Sequence, residues 1–139
     1  MMSKKFHLDI ITPNGTFSLD NVEHLRAPST DGLFGVLANH IPSIIAIGNG
    51  EIQIKISGKN NLYATSGGYA DIKKESVSLV LETAEEASSI DLERSEKALS
   101  RAKEYLKDSS NDLVRAKESI ERAKIRIAVA KKFKLKSFQ

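Results

Sequence analysis

Cysteine and tryptophan are both absent from the 139 residues. Without cysteine there is no disulfide staple, no thiol nucleophile and no cysteine-ligated zinc, and the redox compartment stays open. His7, His24 and His40 stand too far apart for a short metal-ligand motif, so a metal centre is not expected. No apolar run approaches the roughly 18 residues that a membrane-spanning helix requires. The opening MMSKKFHLDIITPNG breaks its apolar residues at Asp9 and turns at Pro13, unlike a secretory leader. The chain is therefore expected to remain in the compartment where it is made. The sequence lacks G-x-x-x-x-G-K-[ST], so no phosphate-cradling loop precedes a helix. It also lacks a Ser-His-Asp set and any supported pair of catalytic carboxylates, and reads as no enzyme in its own right.

What is present is divided unevenly. Apolar residues make up 40% and charged residues 28%, the proportions of a folded protein. All 8 glycines and 3 prolines lie before Tyr69, and the rest of the chain has none. Residues 1–87 carry seven Lys/Arg against ten Asp/Glu, whereas residues 88–139 carry fourteen against eight. The first part is net acidic and the second net basic, so the two are expected to meet different partners.

The first part reads as strands. Phe6, Leu8 and Ile10 alternate with polar positions, as do Ile52, Ile54 and Ile56, and then Val77, Leu79 and Leu81. Pro13-Asn14-Gly15, Gly48-Asn49-Gly50 and Ser57-Gly58-Lys59-Asn60-Asn61 supply turns between them. Short strands at this spacing predict an all-β unit, an antiparallel β-sandwich or flattened barrel, over residues 1–86. No βαβ alternation is visible, and a parallel sheet is not expected. Gly67 and Gly68 suit a bulge or a close approach of backbones inside the sandwich.

Residues 87–139 change period. Leu92, Ser95, Leu99, Ala102 and Leu106 recur at three-four spacing, and so do Leu113, Ala116, Ile120, Ala123, Ile127 and Ala130. Two amphipathic helices with a break at residues 107–111 predict an antiparallel α-helical hairpin. Ser88 and Asp91 fit a capping box for the first helix, and Ser109 to Asp112 offer caps for the second. The seam alternates large residues with Ala or Ser, and small residues bury little area beside the roughly 1.5 to 3 kcal/mol of a buried leucine. Such a hairpin is expected to be marginal by itself and suited to changing its docking site.

The segment TDGLFGVLANHIP (residues 30–42) resembles the glycine-turn segment of the epsilon subunits of bacterial F-type ATP synthases. SGGYADI (residues 66–72) is similar to a strand of the same family, and Glu82-Thr83-Ala84-Glu85 followed by Ile90-Asp91 to its domain junction. With FHLDIITPNG and the Ala-rich hairpin, the likeness spans essentially the whole chain in order. It implies a non-catalytic rotor subunit of the central stalk, at the cytoplasmic face of the cell membrane. A β-sandwich would be held by the gamma subunit and rest on the ring of c subunits, with Asp31, Leu33, Asn39 and His40 facing that ring. Some relatives carry an acid where Leu33 stands, and Asp31 would have to substitute for it. His40 reads equally as a surface turn residue.

The resemblance further implies that the hairpin either folds down or extends along gamma into the alpha/beta catalytic head, blocking rotation during ATP hydrolysis. Some members bind ATP as a regulatory ligand on the folded hairpin through I/L-D-x-x-R-A. Ile90-Asp91-Leu92-Glu93-Arg94-Ser95 matches that motif except at Ser95, where alanine is usual. Glu85, Arg101, Arg122 and Arg126 stand at the matching positions. Arg94 and Arg101 share one face of the first helix, while Arg122 and Arg126 lie one turn apart on the second. Guanidinium groups so placed suit bidentate bonding to a triphosphate. Read without the family, Asp91 is a capping acid and the arginines are solvated. The basic tail KKFKLKSFQ (residues 131–139) is expected to meet an acidic protein surface, with anionic lipid or nucleic acid the lesser alternative. Because the lysines and arginines of the hairpin are interleaved with acids, a nucleic-acid track is not expected.

Overall fold

Alternation at Phe6, Leu8 and Ile10 becomes a row of buried side chains on the first strand, β1 (Phe6–Thr12). The computed structural model describes residues 4–29, 32–36, 41–107 and 112–137. The chain divides into two units, Met1–Glu85 and Glu86–Gln139. In the first, β1 is followed by β2 (Gly15–Ser29), β3 (Gly32–Val36), β4 (Ser43–Ile47), β5 (Gly50–Ile56), β6 (Lys59–Thr65), β7 (Gly68–Ile72) and β8 (Ser76–Leu81). A two-residue strand, β9 (Glu85–Glu86), falls where the first unit ends and the second begins.

Strand order β1-β8-β7-β4-β2-β5-β6, with a further β1–β2 pairing, turns the sheet back on itself through the long β2. The first part of β2 pairs with β1, and the later part with β3 and β5. The layers so formed enclose a core of Leu8, Ile10, Leu25, Ile52, Ile54, Ile72, Val77 and Leu79 with their neighbours. Among the strand pairs with a described register, pairing is antiparallel except between β1 and β8, which run parallel. As the sequence predicts, the sheet is therefore not a parallel one, and one parallel pair is added to it. A parallel neighbour needs no βαβ unit when the strands between, here β2 to β7, make the crossover themselves.

Two-residue turns join β1 to β2 and β5 to β6. The second consists of Ser57 and Gly58, both at positive φ (51° and 74°), as a type I′ hairpin turn requires. Close approach explains Gly68. A methyl group there would overlap the carbonyl oxygen of Val80 on β8, so only glycine lets β7 lie this near its neighbour.

The second unit begins with a 3-10 turn (Ala87–Ser89), then α1 (Leu92–Lys107) and α2 (Leu113–Ser137). The expected capping box does not form. Ser88 lies in the 3-10 turn, and Asp91 is itself the N-cap, its Oδ1 accepting the Arg94 N–H at 3.1 Å. A β-region Ile90 between turn and helix sets the start of α1 at Leu92, three residues too late for Ser88 to reach it. Asp112 caps α2 by accepting the Val114 and Arg115 N–H groups at 3.1 and 3.2 Å. The other proposed caps, Ser109, Ser110 and Asn111, lie outside the described residues.

Helices α1 and α2 pack together, and α2 also packs on the 3-10 turn. Ser95, Ala116, Ile120, Ala123 and Ala130 of the expected seam are buried, and Leu92, Leu99, Ala102, Leu106 and Ile127 are half-buried. Leu113 is 48% exposed, because it opens α2 at the connection, beyond the last seam residue of α1. Val129, unexpected from the pattern, is buried. With two neighbours to cover, the far half of α2 buries a wider arc than a single seam.

Candidate functional site

Two surfaces carry the residues of interest, one on each unit. On the second unit, Ala98, Arg101, Ala102 and Tyr105 of α1 face Arg115, Ala116 and Ser119 of α2 across a cleft of about 510 Å³. The sequence explains its shape. Alanines at 98, 102 and 116 leave a floor without bulk, and seven-residue spacing returns Arg101 to the same side of α1 as Arg94. Among the described residues that line the cleft, Arg101 and Arg115 carry charge and none is acidic. Arg122, one turn beyond Ser119, donates from Nη2 to the Ser119 Oγ at 3.2 Å and is thereby held toward it.

The expected ATP residues are distributed around this cleft unequally. Arg101 lines it, and Arg122 joins it through Ser119. Arg94 and Arg101 also share a shallow depression on the outer face of α1 with Glu93, Glu96, Lys97 and Ser100. There Lys97 and Glu93 pair at 3.3 Å, both in water. Arg126 is half-buried on α2, two turns from Ser119. Asp91 is exposed at the start of α1 and Ile90 beside it is buried. Ser95 has no exposed surface, and its hydroxyl donates to the Asp91 carbonyl at 2.9 Å. In this conformation Ser95 supports the first turn of α1 from inside. Glu85 belongs to the first unit, where it lines a depression with Thr12, Asn14, Phe17, Glu82 and Thr83.

On the first unit, β3, β4 and the residues before β4 leave large apolar side chains in water. Leu33 is 71%, Ile41 79% and Ile44 74% exposed. Leu33 is the one expected ring-facing residue that can be placed; Asp31, Asn39 and His40 lie outside the described residues. Ile44 shares its outer face with Tyr69, since Ala46 pairs with Tyr69 and Ile44 with Asp71 across β4–β7. His24 stands beside Gly35 of β3, its Nε2 about 3.0 Å from where a side chain at Gly35 would begin. Burial lowers its pKa, reinforced by Arg26 and Lys55, so the ring stays neutral near pH 7.

Sequence reasoning missed Ile41, Ile44 and Tyr69 on this surface, and Tyr105, Arg115 and Ser119 at the cleft. The signal for Ile44 was legible: Ile44 and Ile45 are adjacent in one strand, which makes it apolar on both faces. Among the described residues no cluster suits a metal ion, and no helix is long and apolar enough to cross a membrane.

Comparison with known proteins assigns both units. Residues 5–87 match the model of the beta-sandwich domain of the ATP synthase delta/epsilon chain, and residues 88–131 match that of its long alpha-helix domain. The ATP synthase epsilon chain of Staphylococcus haemolyticus is 40% identical over 126 residues, covering 89% of this chain and 95% of the relative. That of Staphylococcus aureus strain JH9 is 39% identical over 127 residues, with the same coverage. A chain in the Euglena gracilis mitochondrial ATP synthase shares the fold, with a TM-score of 0.78 at 21% identity, covering 92% of this chain and 82% of that one. One in the central stalk and c-ring of the Tetrahymena thermophila enzyme gives 0.58 at 12%, covering 95% and 98%.

Proposed function

Since the chain belongs to the delta/epsilon chain family of ATP synthases, and is thus a non-catalytic subunit of that complex, we propose that it is a stalk subunit whose helical hairpin senses ATP. The first unit would seat the rotor: its apolar surface at Leu33, Ile41 and Ile44 rests on the c-ring, and another face is held by gamma. The complex stands at the cytoplasmic face of the cell membrane. The hairpin is the regulatory arm, folded when ATP occupies it and otherwise extended along gamma toward the alpha and beta subunits, where it opposes hydrolysis.

The observation that carries the ATP reading is the cleft between α1 and α2, which gathers Arg101 and Arg115 over an alanine floor and draws Arg122 to its rim through Ser119. A triphosphate supplies the negative charge that these groups lack. If ATP binds only the folded arm, free ATP tenfold above Kd stabilises that state by about 1.4 kcal/mol. That is enough to shift a marginal hairpin by about tenfold in population.

The test is calorimetric titration of ATP into the full chain, with melting followed in parallel. Saturable heat and a raised melting temperature are expected, and Arg122→Ala should weaken binding by at least about tenfold. Absence of both heat and melting shift in the unmodified chain would end the sensor role. The family assignment would stand, and co-purification with gamma tests the stalk contact separately.

A further inference from the structure

The β1–β2 ribbon, on the first unit, carries a group of side chains that the stalk role does not use. Phe6 pairs with Val22 and Leu8 with Leu19, so His7 alone faces two residues of β2, Asp20 and Asn21. This is a β-bulge, and Asn21 within it sits in the left-handed region at φ 61°. The His7 ring spans the irregularity. Its Nδ1 lies 2.6 Å from Asp20 Oδ1, and its Nε2 lies 2.8 Å from Asp9 Oδ1. Ser18 donates to the same Asp9 oxygen at 2.5 Å.

The chemistry of the ring makes this arrangement conditional. A neutral imidazole has one N–H and one lone pair, so it donates to one carboxylate and repels the other. Only the imidazolium donates from both nitrogens. The Asp9 carboxyl cannot supply the missing proton at neutral pH, because the Ser18 hydroxyl and then His7 hold it below the ordinary range. We propose that His7, Asp9 and Asp20 form a proton-operated latch across the β2 bulge, closed by the imidazolium and released when one ring proton leaves to solvent.

The surroundings favour the closed form. From β2 the ring meets Asp20, with Ser18 behind it, and from its own strand Asp9. On the other side, β8 sets Ser76 opposite His7 and Ser78 opposite Asp9, neither of them charged. The turn before β8 brings Lys73, Lys74 and Glu75, whose backbone oxygen accepts the His7 N–H at 3.2 Å. Lys4 and Lys5 precede the strand. The hydrogen bond to Asp20 and then that to Asp9 raise the His7 pKa against the opposing effect of desolvation. The sign follows from linkage. The latch contributes fully below the unfolded pKa of about 6.5 and is lost as pH rises through the higher folded value. At the acid end the Asp9 contacts are lost as pH falls through its lowered pKa. With 40% of the His7 side chain in water, the proton exchanges freely.

NMR titration of the full chain from about pH 5.5 to about pH 9 tests this, reading the His7 ring nitrogens together with the Asn21 and Val22 amides. Both nitrogens should be protonated at the acid end. The inflection should lie above about 6.5, with the two amides moving in step, while His24 titrates below it as an internal control. Asp20→Asn, at a residue whose side chain is 76% exposed, should lower the His7 inflection and uncouple the amides. A single ring proton at pH 5.5, an inflection at or below 6.5, or amides indifferent to His7 would each overturn the latch.

Discussion

The two units bury different kinds of side chain. In the sandwich, Leu8, Ile10, Leu25, Ile52, Ile54 and Leu79 have no exposed surface at all. In the hairpin, the buried set is mostly Ser95, Ala116, Ala123 and Ala130, with Ile120 and Val129 the larger members. At roughly 25 cal/mol per Å² of apolar surface, a row of alanines contributes a small part of what a row of isoleucines does. One chain thus carries a unit with a large apolar core and a hairpin with a thin one, which is the contrast that the proposed movable regulator would need.

The largest test of that contrast sets one core substitution against one seam substitution. Ile54→Ala should destabilise the sandwich by about 2–5 kcal/mol, since a fully buried side chain leaves a cavity between closed layers. Ala123→Gly should cost the hairpin about 1 kcal/mol, mainly through backbone entropy within α2. Urea unfolding followed by NMR resonances of each unit reads both. Equal costs, or one transition that moves as a whole for either variant, would show the hairpin to be no weaker than the sandwich.

A smaller effect probes how the arm begins each of its helices. Asp91 and Asp112 both cap through a side-chain oxygen, and replacing either by alanine should cost about 1 kcal/mol of local helix stability. The two should differ in consequence. Asp112 caps the turn that carries Arg115, which lines the cleft, and Asp91 the turn that carries Arg94, which does not, so Asp112→Ala should weaken ATP binding more than Asp91→Ala. Helicity from circular dichroism and calorimetric affinity separate these effects. Equal losses of affinity would mean that ATP responds only to hairpin stability.

Much of this was legible in the residues because side-chain period reports burial directly. Phe6, Leu8, Ile10 and Val77, Leu79, Leu81 alternate and are buried as the alternation requires. β2 was hidden for a physical reason: its 15 residues change partners along their length, and a bulge at Asn21 and Pro28 near its end both break the period. The parallel β1–β8 pair was equally hidden, since local sequence does not state which distant strand becomes a neighbour. Among the expected nucleotide residues, Arg101 lines the cleft and Arg122 reaches only its Ser119, while Arg94 and Arg126 do not line it. Arg115 and Tyr105 escaped notice because their place depends on how the two helices face each other. The start of α1 was misjudged because Ser88 and Asp91 have capping-box spacing, and only the extended backbone at Ile90 decides which of them caps.

The smallest expected effect concerns Ser95, where the family pattern places alanine. Its hydroxyl donates to the Asp91 carbonyl, which also accepts the Ser95 N–H at 3.0 Å. Removing the hydroxyl therefore leaves that carbonyl with a partner, and the higher helix propensity of alanine offsets part of the lost bond. Ser95→Ala should change hairpin stability by less than about 1 kcal/mol in either direction. Because the hydroxyl faces inward and is engaged, ATP affinity should change by less than about threefold. A loss of affinity near tenfold would mean that the nucleotide draws the hydroxyl away from Asp91, so that the first turn of α1 rearranges when the arm is occupied.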